Sequence, residues 1–167
     1  NPLITFCNGK YMLVEFQTYM MPKGFQNHLY ELKISGVTPI IAHPERYKPI
    51  QDDIKIIEQL INSGCVIQID AGSLIGHFGK NCKLVAETML RRNMVHLVGS
   101  DAHGRGKRNF CLKDSVVIMK NFISEKLINS ILDNSRKVIS GQEIEPFNII
   151  DIKESWFSDK ILKFFRK

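Results

Sequence analysis

Val95-His96-Leu97-Val98-Gly99-Ser100-Asp101-Ala102-His103, with the basic loop Gly104-Arg105-Gly106-Lys107-Arg108 behind it, decides how this chain is read. A valine-rich apolar run that stops abruptly at Gly-Ser-Asp-Ala-His has the pattern of a buried strand delivering a carboxylate and an imidazole to its carboxyl end. That end is where α/β enzymes place their chemistry. Asp101 and His103 stand two apart, so in extended backbone their side chains project the same way, and both types ligate divalent metals. Taken alone, the motif supports a second reading equally well, in which Asp101 caps the following helix and His103 lies on the surface.

Working outward, three more apolar runs read as strands: 11–16, 38–42 and 65–70. The first carries Glu15 near its end, a residue costly to bury unless it is paired or ligates a metal; a Glu facing solvent from an edge strand is an equal alternative. The second ends in His43-Pro44-Glu45-Arg46-Tyr47, where Pro44 predicts extended backbone at His43 and a presented imidazole. Arg46 follows in the loop, where a guanidinium clamps phosphate with paired hydrogen bonds. The third ends at Asp70, which we read first as a turn or cap residue and second as a supporting partner of a metal site. Helical spacing covers 25–34, 52–64, 82–93, 112–122 and 124–134, the first two closed by Gly36 and Gly64. His77 reads as loop surface and His96 as an interior residue. Strand and helix alternate throughout, which predicts parallel βαβ units with right-handed crossovers.

The composition narrows the function. At 167 residues the chain suits one domain, short of the roughly 250 residues of a complete β/α barrel. The net charge of +6 comes from scattered Lys and Arg, a solvated surface with a mild preference for anions and no nucleic-acid signature. Cys7, Cys65, Cys82 and Cys111 lack CxxC spacing and fit reduced, packed thiols of a cytoplasmic protein. The apolar runs fall far below the roughly 18 residues of a membrane span, and no stretch here resembles a signal peptide. The start at Asn1-Pro2, without Met, reads as a processed or truncated piece.

Glu15, His43, Asp70 and Asp101 with His103 all fall at or near strand carboxyl ends, which a barrel-like parallel sheet gathers on one face. Carboxylates and histidines beside Arg46 and Arg108 describe a multinuclear metal site next to an anion clamp, the equipment of phosphate ester hydrolysis. No Cys-x5-Arg loop exists, so a cysteine-nucleophile phosphatase is not indicated.

Leu13-Val14-Glu15-Phe16, Pro39 through Tyr47, Gln68 through Ser73, and Gly99-Ser100-Asp101-Ala102-His103 with Arg108 resemble the PHP-family tyrosine-protein phosphatases of bacterial capsule and exopolysaccharide clusters, over about residues 8–145. The resemblance implies a distorted, TIM-like parallel β/α barrel, here as an incomplete barrel matching roughly the carboxyl-terminal two thirds of the family domain. It implies a trinuclear manganese centre, with Glu15 bridging two ions, His43, Asp101 and His103 as terminal ligands, and Arg46 and Arg108 holding phosphate. The implied substrate is the tyrosine-phosphorylated tail of a membrane-associated kinase that controls polysaccharide export. The family's opening Asp-x-His-x-His strand and its next Glu and His ligands have no counterpart here. Weak manganese binding by these residues alone, and self-association along an uncovered sheet edge, are therefore expected. Two alternatives stand: a non-catalytic remnant that binds protein partners, and a PHP phosphoesterase for a small monoester such as histidinol phosphate. The domain ends at residue 147 in this reading. The basic aromatic tail 148–167 forms a helix that either packs on the body or lies on an anionic membrane surface.

Overall fold

The structure, a computed structural model, describes residues 4–104, 106, 109–145 and 147–151. Its centre is one parallel sheet of β1 (Tyr11–Val14), β2 (Thr38–Ala42), β3 (Val66–Asp70) and β4 (Leu97–Gly99), in that spatial order. Val14 stands opposite Ile41, Ile41 opposite Ile67, and Ile69 opposite Val98. The inner strands β2 and β3 are buried almost throughout, as their continuous apolar runs require. On the edge strand β1, Leu13 is half exposed. Among the described residues the sheet is open, with β1 and β4 as its edges, and does not close into a barrel.

The connections are helical: α1 (Phe25–Ile34), α2 (Lys48–Asp52), α3 (Lys55–Asn62), α4 (Ala71–Ile75), α5 (Lys80–Arg91), α6 (Leu112–Met119) and α7 (Glu125–Ile139). Ile57, Leu60 and Ile61 of α3 and Ala86, Met89 and Leu90 of α5 join Ile41, Ile67 and Ile69 in the main core. Tyr11, Ile40, Val66 and Leu97 meet Val138 of α7 in a smaller cluster. Alternate residues of one strand thus feed different cores, the period of two made visible. At the end of α3, Gly64 adopts φ 81° and its N–H donates to Ile61 O at 2.8 Å, while Cys65 N–H donates to Leu60 O at 3.0 Å. This glycine closure turns the chain directly into β3.

Three elements differ from the sequence reading. The helix expected over 52–64 is two helices, because Pro49 starts α2 early and Asp53 accepts Lys55 N–H at 3.0 Å, an Asx turn that breaks the run. Residues 71–75 are helical rather than a turn, since Asp70 caps them by accepting Gly72 N–H at 2.7 Å. The fourth strand begins at Leu97, not Val95. There the His96 ring, with Nδ1 accepting Ile67 N–H at 3.1 Å, takes a place the ladder would otherwise fill.

Of the tail, residues 148–151 are described and run beside the end of α5. Ile150 N–H donates to Arg92 O at 3.0 Å, and Arg92 pairs with Asp151 at 3.2 Å and Glu58 at 2.8 Å. The expected tail helix lies outside the described residues. Among the described residues no helix is long and apolar enough to cross a membrane.

Candidate metal and phosphate site at the strand ends

Each strand hands its candidate residue to the carboxyl end of the sheet, and the loop after β2 ties the residues together. Pro44–Arg46 form a single 3-10 turn. Tyr47, fully buried, braces it: its hydroxyl donates to Ala42 O at 2.6 Å and accepts Phe16 N–H at 3.0 Å. One phenol therefore joins the ends of β1 and β2. Glu45 is completely buried beside it. Its Oε1 accepts Asp70 N–H at 2.9 Å and the Ser73 hydroxyl at 2.7 Å, fastening the turn to β3 and α4, and burial raises its pKa to about 7.

That anchoring sends Arg46 across the end of β3 toward β4. Its Nη1 donates to Asp101 at 2.7 Å and lies 3.4 Å from Asp70, while its guanidinium rests 4.4 Å from the centre of the Phe78 ring. Asp70 is buried, Asp101 and Arg46 are largely covered, and Glu15 and His103 are exposed, so the site has a closed floor and an open rim.

The candidate ligands form two pairs. His43 Nε2 lies 3.3 Å from Glu15, and His103 Nε2 lies 3.1 Å from Asp101. Among the described residues, no three or more His, Cys, Asp or Glu side chains stand together as a metal site. Burial, and after it the charge of Arg46, lowers the His43 pKa, keeping the imidazole neutral, the form that ligates metal. Its Nδ1 is buried without a partner in the protein. The donors are imidazole nitrogen and carboxylate oxygen, a set suited to divalent metal ions. The donor type fits a metal, and the four candidate ligands stand as two separate pairs rather than as one cluster.

The backbone departs from expectation at two of the candidate ligand positions. His43 has φ 35° and ψ 52°, and Asp101 has φ 40°. Extended geometry at His43, expected from Pro44, is therefore not what the chain adopts. His43 N–H is held to Gln68 O at 2.7 Å, and Arg46 N–H donates to His43 O at 3.0 Å, so the ladder and the turn together impose the left-handed kink. Left-handed backbone at non-glycine residues is strained, and such strain clusters at functional sites.

Asp70, which the sequence offered mainly as a cap, serves as cap and as Arg46 partner at once. Glu45, Tyr47 and Phe78 were not singled out from sequence. The available signals were a carboxylate between His43 and Arg46, and an aromatic residue between Gly76 and Gly79. Half-buried His77, expected on the loop surface, has a buried Nδ1. His96 is interior, as read, with its ring stacked on Phe147. Burial pushes the Cys111 thiol up, away from a nucleophilic thiolate. Arg108 lies outside the described residues.

Residues 1–140 match the family described as capsular polysaccharide synthesis, CpsB/CapC. The chain belongs to that family. Among its relatives, tyrosine-protein phosphatase YwqE of Bacillus subtilis is 31% identical over 142 residues, which are 85% of this chain and 56% of that protein. Tyrosine-protein phosphatase CpsB of Streptococcus pneumoniae is 32% identical over 146 residues, 84% of this chain and 60% of the relative. The fold superposes with a TM-score of 0.79 and 30% identity on a solved structure from work on YwqE and CpsB, described as unique metal-dependent tyrosine phosphatases. That match covers 85% of this chain and 58% of the solved one. This CpsB/CapC chain thus spans little more than half the length of the relatives it matches.

Proposed function

We propose that this chain carries the phosphate-binding part, and part of the metal site, of a metal-dependent phosphatase that hydrolyses phosphotyrosine on a protein. The observation that carries the reading is Arg46, held beside Asp70 and Asp101 between the two histidine–carboxylate pairs. Glu15, His43, Asp101 and His103 would hold divalent metal, manganese in this reading and as a trinuclear centre when complete. Bound metal would supply Lewis acidity toward water and the phosphoryl group. The two donor pairs are completed by donors from a further segment, of the same polypeptide or another, which also covers the β1 edge and brings the sheet toward a barrel.

The chain's own residues do the rest. Nη1 of Arg46 is engaged by carboxylates, so its other N–H groups are the ones offered to phosphoryl oxygens, where they bind substrate and stabilise charge that grows in the transition state. Asp70 and Asp101 orient the guanidinium. The neutral His43 imidazole keeps its lone pair for the metal. Arg108 supplies a second phosphate contact. The substrate is a tyrosine-phosphorylated protein of the capsule system, a membrane-associated kinase in this reading. The free thiols of Cys7, Cys65, Cys82 and Cys111 suit a reducing, cytoplasmic setting.

Turnover of a phosphotyrosine peptide with and without manganese tests this, using the chain alone and the chain fused behind a segment bearing the family's Asp-x-His-x-His strand. The fused form should be manganese-stimulated and the chain alone slow. Arg46→Ala should cost the fused form about ten- to a hundredfold, the scale of one or two charged hydrogen bonds. Full activity of Arg46→Ala, or no metal-stimulated turnover by the fusion, refutes the proposal.

A further inference from the structure

We infer that Phe78 is a positioning residue for Arg46, its ring fixing the plane in which the guanidinium is presented. The role of Arg46 toward phosphate rests on the function proposed above; the positioning itself rests on geometry alone. Asp101 and Asp70 both engage Nη1, at 2.7 and 3.4 Å. The 2.7 Å contact secures that end of the group, while the 3.4 Å contact, near the limit of a hydrogen bond, holds its plane only weakly. The face of Phe78, 4.4 Å from the guanidinium carbon, fixes that plane, because a flat cation over an aromatic ring is attracted by the ring's negative face.

The ring is itself held. His77 and Phe78 form a short link between α4 and α5 that starts at Gly76 with φ 96° and ends at Gly79 with φ 91°, positive-φ positions that suit glycine and bend it over the strand ends. His77 N–H donates to Gly72 O at 2.9 Å, and Gly79 N–H to Gly76 O at 3.2 Å. The ring closes against Gly72 so tightly that a β-carbon there would stand 3.0 Å from Phe78 Cε2. A side chain at position 72 would require the ring to give by a few tenths of an ångström. The arrangement also answers a need of the site: Asp101 is a proposed metal ligand, and an oxygen shared with metal is a weaker hold on Arg46. Phe78 and Asp70 retain the guanidinium whether or not Asp101 is engaged elsewhere.

The test is nuclear magnetic resonance of the Arg46 side-chain Nε–H in the full chain, assigned by its loss in Arg46→Lys, together with titration by inorganic phosphate. In wild type the signal should be rigid and slow to exchange with water. Phe78→Leu, which keeps apolar bulk and removes the aromatic face, should loosen it and weaken phosphate about three- to tenfold, with an unchanged melting temperature. Phe78→Tyr should restore both. A wild-type Arg46 signal in Phe78→Leu overturns the inference. A loosened signal with unchanged phosphate affinity upholds the positioning and instead removes Arg46 from the phosphate clamp.

Discussion

His96 makes the stability of this domain depend on pH in a calculable way. Its ring is 1% exposed, accepts Ile67 N–H at Nδ1, and stacks on Phe147 with centroids 5.7 Å apart. Burial lowers its pKa from 6.5 to about 4. The folded state therefore binds this proton only near pH 4, whereas the unfolded chain binds it near 6.5. Between those values the unfolded state holds more protons, so stability falls as pH falls, by about 1.4 kcal/mol per pH unit for this group. The contribution is fully present above 6.5 and is lost on descent toward 4, about 3 kcal/mol in all, against the roughly 5–15 kcal/mol of a typical domain. His96→Asn places an amide oxygen near the Nδ1 position and cannot titrate. It loses the stacking and leaves a small void, so at pH 7.5 it should be less stable by about 1–2 kcal/mol. Urea unfolding of both proteins at pH 7.5, 6.0 and 4.5 measures the difference, in which carboxylates common to the two cancel. Wild type should lose about 2–3 kcal/mol more than the variant over that range. Parallel losses would refute the reasoning, showing that the ring is already protonated when folded or that another group governs acid stability.

Tyr47→Phe deletes the hydroxyl that joins Ala42 O to Phe16 N–H and should cost about 1–3 kcal/mol in urea unfolding; no loss would mean that the brace between β1 and β2 is idle. Glu45→Leu strands Asp70 N–H and the Ser73 hydroxyl in the interior and should cost about 2–5 kcal/mol, while Glu45→Gln, which keeps the acceptor, should stay within about 1 kcal/mol of wild type. Equal behaviour of the two variants would show that the hydrogen bonds are not what matters there. Asp101→Ala should weaken manganese binding at least about tenfold by calorimetry, and unchanged affinity would remove Asp101 from the ligand set.

The strands and their parallel order were legible because each buried strand is a short apolar run and α1 and α3 end at a glycine, Gly36 or Gly64. What local pattern could not carry is the part fixed by contacts distant in sequence. The rule for a residue before proline fails at His43 because the hydrogen bond that its N–H donates to Gln68 O of β3 and the pull of buried Glu45 outweigh local sterics. Phe78 gave no sign of its place over Arg46, 32 positions earlier by their numbering. Residue type picked out the candidate ligands, but the distances between them could not be read from it. Strands β1 and β4 are three neighbours apart, about 14 Å at the usual spacing, which is farther than two side chains can reach to share one ion in an open sheet. Glu15 accordingly meets His43 on one side and His103 meets Asp101 on the other. Among the described residues it is Arg46, carried by the braced turn across the end of β3, that links the β2 side to the β4 side. Bringing both pairs onto a common metal centre then requires more curvature, or more donors, than these four strands provide. A segment that covers the β1 edge would supply both.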